Sequence, residues 1–157
     1  MALQILPNFR KPHPGILQEP DKRLRKISQE VNEIDKTVIE VTNQLIDILK
    51  KIDEPYKPWL GMTAPQIGHN LRIIAIKEGS HQYKVMVNPE FSKQKWILPT
   101  ISGCYSLKSL YLFRSPYWVK INYLDLQGKK HTETFFGGRA ILLRQEIDHL
   151  NGKLVCD

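Results

Sequence analysis

Three residues near the end of the chain, Gln145, Glu146 and His149, have types and a spacing that could activate water at a metal. They lie in Arg144-Gln145-Glu146-Ile147-Asp148-His149-Leu150, one substitution from the pattern H-E-x-x-H. In that pattern two histidines at i and i+4 share a helical face and hold a metal. The glutamate beside the first serves as general base for the attacking water. Here Gln145 stands where the first histidine would be. On a helix, Gln145 and His149 project the same way, while Glu146 is displaced by about one hundred degrees. A catalytic metal site needs a further ligand and one open position. Cys104, in Ser102-Gly103-Cys104-Tyr105-Ser106, is the obvious donor, because it follows a glycine in a loop-like stretch that can turn a thiolate toward a metal. The same residues also admit plainer roles: a buried small thiol, a hydrogen-bonded helix histidine and a solvated glutamate.

The elements that must position these groups are legible as periodicities. A helix is expected from about Arg139 to Asn151, with Ala140, Leu143, Ile147 and Leu150 on one face and Gly152 as its stop. An earlier helix is marked by Val31, Ile34, Val38, Val41, Leu45, Ile48 and Ile52 at 3-4 spacing, with Asp35 as N-cap and an end by Pro55. Leu3 to Asp21 carries four prolines and should be irregular or extended. Between the helices, Arg72–Lys77, Tyr83–Val87, Trp96–Leu98, Tyr111–Arg114, Tyr117–Leu124 and His131–Phe136 read as strands. Glu78-Gly79-Ser80 and Asp125-Leu126-Gln127-Gly128 are turns between them, and Gly137-Gly138 ends the strand region. One helix, a set of mostly antiparallel strands and a final helix predict an α+β fold with a helix packed inside a curled sheet.

Composition narrows the class. With 157 residues, 41% hydrophobic and 25% charged, the chain is expected to fold as one globular domain over 1–157. No apolar run approaches a membrane span of about 18 residues, and the start lacks the basic region and apolar core of a signal peptide. Two cysteines, Cys104 and Cys156, are too few for a disulfide scaffold, which favours a reducing, cytoplasmic setting. The net charge of +7 could attract ribosomes or acidic partners, but the basic residues are spread along the chain. They come with no nucleic-acid motif, so no specific nucleic-acid partner and no membrane partner are expected.

Three segments occur together in order: Gly61-Met62-Thr63-Ala64-Pro65-Gln66-Ile67-Gly68, Gly103-Cys104-Tyr105-Ser106 and Glu146-Ile147-Asp148-His149-Leu150-Asn151-Gly152. They resemble the three signature motifs of peptide deformylases, G-x-G-x-A-A-x-Q, E-G-C-x-S and H-E-x-D-H. Pro20-Asp21-Lys22-Arg23-Leu24-Arg25 resembles the family's P-D-x-x-L-R, and Val87-Asn88-Pro89-Glu90 its N-P strand end. Tyr123-Leu124-Asp125-Leu126-Gln127-Gly128-Lys129 is similar to its turn before the final helix, so the resemblance covers most of the chain.

The resemblance implies a fold in which a curved, mainly antiparallel sheet packs around the motif-bearing C-terminal helix. It also implies removal of the formyl group from N-formylmethionine on nascent bacterial proteins with a divalent metal, iron or zinc. By position, Cys104 and His149 would be metal ligands, with Gln145 in the place of the third. Glu146 would be the general base and return its proton to the leaving amine. The Gln66 side chain and the Tyr105 backbone N–H would stabilise the oxyanion, as donors fixed before charge develops. Gly61 would lie beside the extended peptide, which can pair with a backbone edge as an added strand.

The departures cluster. Beyond Gln145, Trp59 stands at the first glycine of the first motif, Thr63 at an alanine and Ser102 at the glutamate of E-G-C-x-S. Lys108 takes the place of a frequent proline, and Tyr111 is nearest by count to a substrate-contacting arginine. An amide oxygen is a poorer partner than imidazole for zinc or iron. Trp59 would narrow or reshape the cleft. Two functions are therefore open. One is a deformylase-like metallohydrolase with a weakened or altered metal site. The other is a metal-free, non-catalytic protein that binds nascent N-termini or the ribosome. A hydrolase with another substrate, its pocket reshaped by Trp59, is a third.

Overall fold

The structure is a computed structural model that describes residues 2–7, 12–53, 58–79 and 82–157. Its elements run β1 (Leu3–Pro7), α1 (Lys36–Ile52), β2 (Gly61–Thr63), β3 (Ile73–Lys77), β4 (Tyr83–Ser102), β5 (Ser109–Leu124), β6 (Lys130–Phe136) and α2 (Gly137–Leu150), with 3-10 turns at Lys22–Arg25 and Ala64–Ile67. Pro55 and Ser80, where a helix end and a turn are expected, lie outside the described residues.

Helix α1 starts where its cap chemistry dictates. The Asp35 carboxylate accepts from the Val38 N–H at 2.9 Å, satisfying one of the donors that a helix start leaves open. The stripe from Val38 to Leu49 is buried, while Val31 and Ile34 precede the helix and pack beside it.

Every strand pairing is antiparallel, in the order β1-β5-β4-β3-β2 with β6 also on β5. Strand β3 is buried throughout because both its faces are covered. Ile73 and Ala75 face a cluster with Val41, Leu45 and Leu49 of α1, whereas Ile74 and Ile76 face Leu143, Ile147 and Leu150 of α2. Period-two alternation thus divides one continuous apolar run between two helices. The strands expected separately at Tyr83–Val87 and Trp96–Leu98 are one strand, β4, and those at Tyr111–Arg114 and Tyr117–Leu124 are one strand, β5. Pro89, Pro99 and Pro116 lie within these two strands, although proline cannot donate to a ladder. Beyond Val87, however, β4 pairs only with β5 among the described strands, and Pro116 falls between the stretches of β5 that pair with β1 and with β6, so each proline sits where an edge accommodates it. Within the proline-rich N-terminus, Leu3–Pro7 is extended and, as β1, pairs with β5, while Pro14 and Pro20 lie in turns.

Helix α2 is the positioning element. It packs on β5, β6, β2 and β3, with Ala140, Leu143, Ile147 and Leu150 buried as predicted. Its end is set by Gly152 at φ +71, where an added Cβ would come within 2.5 Å of the Arg25 carbonyl oxygen.

Candidate active site

The polar residues of α2 are as buried as its apolar ones: Gln145 is 7% exposed, Glu146 4% and His149 2%. Burying such groups is costly unless they are paired or put to use. Gln145 and Glu146 open onto a cavity of about 260 Å³. Its other walls come from Trp59, Leu60, Gly61 and Gln66 around β2, from Thr100 to Tyr105 at the β4–β5 connection, and from Gly138 and Leu142 earlier on α2. The fold therefore gathers Cys104, Tyr105, Gln66, Gly61, Trp59, Gln145 and Glu146 around one space. His149 lies one helical turn beyond Gln145, buried behind the cavity wall, and Tyr111 is outside the lining. Tyr111 pairs with Ser102 in the β4–β5 register and packs instead in the cluster that holds Leu24, Cys104, Leu107 and Leu154.

The β4–β5 connection is pinned so that Cys104 and Tyr105 face this space. Gln18 Nε2 donates to the Tyr105 carbonyl at 2.8 Å, the Glu19 N–H donates to the Ser106 carbonyl at 2.9 Å, and Gln66 Nε2 donates to Ser106 Oγ at 3.3 Å. Cys104 is 7% exposed and is not bonded to Cys156. On the opposite wall, Gln66 Oε1 accepts from both the N–H and the hydroxyl of Thr63, at 3.0 and 3.2 Å. The amide of Gln66 is thus clamped at its oxygen, its NH₂ donates to Ser106, and the residue lines the cavity. Thr63, a mild change by residue type, adds one of those two clamps.

Glu146 is seated by Gly61. A Cβ added to Gly61 would come within 3.2 Å of Glu146 Oε1, of Ile76 and of Leu142, so the bare backbone lets the carboxylate lie against β2. The His149 imidazole is held neutral. Burial pushes its pKa down to about 4, helped by the Arg25 guanidinium and opposed by Asp157. Neutral imidazole is the ligating form. His149 Nδ1 and Gln145 Nε2 are buried with no hydrogen-bond partner.

A larger cavity of about 600 Å³ adjoins the far side of Gln145 and is lined in part by Leu3, Leu112, Arg114 and Lys153. Its acids are Asp148, ion-paired with Arg144, and Asp157, ion-paired with Arg25, and neither Cys104 nor Glu146 reaches it. The smaller cavity is the chemical one.

The arrangement can position an amide beside a buried carboxylate, a thiol and a clamped amide donor, with a neutral imidazole behind. The family model of polypeptide deformylases matches residues 14–157 of this sequence. The chain belongs to the peptide deformylase family. Peptide deformylases similar to it include that of Afipia carboxidovorans, 34% identical over 148 residues that cover 90% of this chain and 84% of that one. That of Baumannia cicadellinicola is 34% identical over 146 residues, with 90% and 84% covered. Among solved structures, a peptide deformylase from Legionella pneumophila matches with a TM-score of 0.78 at 32% identity, covering 94% of this chain and 84% of that one. One from Synechococcus elongatus matches with a TM-score of 0.82 at 26% identity, covering 100% and 85%. The curled antiparallel sheet around α2 is accordingly the peptide deformylase fold.

Two features of this deformylase-family site were not visible in the residue pattern. Ser106 is the hydrogen-bond partner of Gln66, a contact between two motifs that are 40 residues apart. Gly138, which reads in sequence as the end of a strand, is a wall of the cavity and the seat of Trp59. A second glycine at a helix start was the only signal for it.

Proposed function

We propose that this protein is a metal-dependent hydrolase that removes the formyl group from N-formylmethionyl peptides, working with a metal site weakened by Gln145. The observation that carries the reading is the shared cavity of Cys104, Gln66, Gln145 and Glu146, with His149 buried behind it. Family membership supports the same chemistry.

The residues fit a divalent ion, with one weak donor. Cys104 and neutral His149 are strong donors for zinc or iron, and an amide oxygen from Gln145 would take the third place. A buried ring nitrogen without a partner on His149, and a buried amide nitrogen without one on Gln145, are what a ligand set built for something other than protein hydrogen bonds leaves behind. Turning the Gln145 amide by half a rotation exchanges its oxygen and nitrogen. When bound, a divalent ion supplies Lewis acidity, polarising the formyl oxygen and making water acidic near neutral pH.

The chain's own residues supply the rest. Glu146, against the Gly61 backbone, takes the proton of the attacking water and passes it to the departing amine. The clamped Gln66 amide donates toward the oxygen on which charge develops, together with the Tyr105 backbone N–H. Gly61 offers a backbone edge to the extended peptide. The reading takes residues 1–157 as one domain acting on nascent chains, with a net charge of +7 suited to work near a ribosome.

A second reading is a metal-free protein that binds formylated or nascent N-termini, favoured by the weak amide donor of Gln145 in place of a third strong ligand. Elemental analysis of protein purified without oxygen, chelators or a metal column separates the two. About one zinc or iron per chain, together with release of formate from formyl-Met peptides, supports the hydrolase. A metal-free protein that binds such peptides without releasing formate supports the binding module.

A further inference from the structure

Two consecutive glycines open α2, and large aromatic residues converge on both. A Cβ added to Gly138 would lie 2.4 to 2.8 Å from three ring atoms of Trp59, so the indole occupies the space a side chain would take. A Cβ on Gly137, at φ +58, would lie 3.3 Å from the Tyr117 hydroxyl. Trp59, Tyr117 and the preceding Phe136 remain 48%, 46% and 55% exposed. A soluble chain seldom leaves large apolar side chains gathered in one place without a use for them. Trp59 also lines the cavity that holds Cys104 and Glu146, so its free face is continuous with the candidate active site.

The helix provides a ruler. Gly138 precedes Gln145 by seven residues, about 10 Å along α2 at 1.5 Å per residue. An extended peptide covers about 3.3 Å per residue. A substrate held with its N-terminal amide at Cys104, Gln145 and Glu146 and running along α2 would bring roughly its third residue beneath the indole.

We propose that Trp59, seated on Gly138, is a specificity-determining wall that selects peptides with an aromatic or long apolar side chain about three residues from the N-terminus. The inference rests on the cleft being a formyl-peptide site, and the indole names which peptides it prefers. Ring-on-ring or ring-on-aliphatic contact at a half-exposed site is worth roughly a 2- to 10-fold preference. Gly138 is the positioning partner, since any side chain there must displace the ring.

The test is binding, read by fluorescence anisotropy of C-terminally labelled peptides on the protein as purified, so that turnover is not required. The probes are formyl-Met-Ala-Xaa peptides with Xaa Phe, Leu, Ser or Asp, each alongside its unformylated counterpart. The wild-type protein should bind the Phe and Leu peptides about 3- to 10-fold more tightly than the Ser peptide. Trp59→Gly should bring all four peptides within about 2-fold of one another. Trp59→Phe should keep the preference, and Gly138→Ala should lose it while Trp59 is still present. Equal affinity for all four formylated peptides in the wild type overturns the wall and leaves the deformylase reading standing. Equal affinity for each formylated peptide and its unformylated counterpart, with the Phe and Leu preference kept, supports the wall and sinks the formyl-peptide reading. Binding of no peptide of either kind overturns both.

Discussion

The Glu146 carboxylate lies against the backbone of Gly61, so close that a Cβ on that glycine would come within 3.2 Å of Oε1. The same Cβ would meet Ile76 and Leu142 at the same distance. Gly61→Ala should therefore cost about 1 kcal/mol or more through overpacking. It should also shift the carboxylate by a few tenths of an ångström and depress kcat more than KM. Denaturant melts alongside formate-release kinetics check both halves, and a variant as stable and as active as the parent would remove Gly61 from the positioning of Glu146.

If Glu146 moves the proton, Glu146→Gln should lower formate release by about 10²- to 10⁴-fold. Metal content should stay near that of the parent, because Glu146 is not assigned as a ligand. Turnover unchanged in this variant would take Glu146 out of the mechanism.

Gln145 separates a weak metal site from a strong one. Gln145→His completes the imidazole pair with His149 on one helical face and should raise metal affinity by at least about 10-fold, with activity rising in step. Chelator competition reads the affinity. A variant that gains metal without gaining turnover would place the defect elsewhere in the cleft, at Trp59 or Ser102.

Thr63 clamps the amide of Gln66 through its hydroxyl at 3.2 Å, in addition to its backbone N–H at 3.0 Å. Thr63→Ala keeps the second clamp and loses the first. Stability should fall by about 1 kcal/mol, as for one buried hydrogen bond. The kcat should fall by less than about 10-fold, because the amide stays anchored at one point. A loss as large as that of Glu146→Gln would mean that Thr63 does more than orient Gln66.

His149 is neutral in the folded chain, its pKa lowered from 6.5 to about 4 by burial and by Arg25. On acidification the unfolded chain takes up this proton first, so stability is lost as the pH falls from about 6.5 towards 4 and is fully present above that window. The urea midpoint of chelator-treated protein should drop across that range, and His149→Gln should flatten this part of the dependence. A slope that persists in the variant belongs to another group.

Much of this was legible in the residues alone. The 3-4 spacing over Val38–Leu49 marked α1, because an amphipathic helix writes its buried face into the chain at that period. Ala140, Leu143, Ile147 and Leu150 marked α2 in the same way, but not that its polar residues are buried too. Asp35 marked a helix start because its cap is made by residues three apart, and the motif residues named the chemistry because ligand and base types are local choices. Strand lengths were not legible: β4 and β5 run through Pro89, Pro99 and Pro116 because an open edge, a property of the assembled sheet, tolerates a missing donor. Nor was the cavity's membership legible. Tyr111 stands opposite Ser102 yet packs with Leu24, Cys104 and Leu107 rather than lining the cleft, and the seating of Glu146 on Gly61 and of Trp59 on Gly138 joins segments some 80 residues apart. Sequence determined which side chains were available, since type and period are read along the chain. Only the tertiary structure decided which of them share one space, because that depends on how sheet and helices close upon each other.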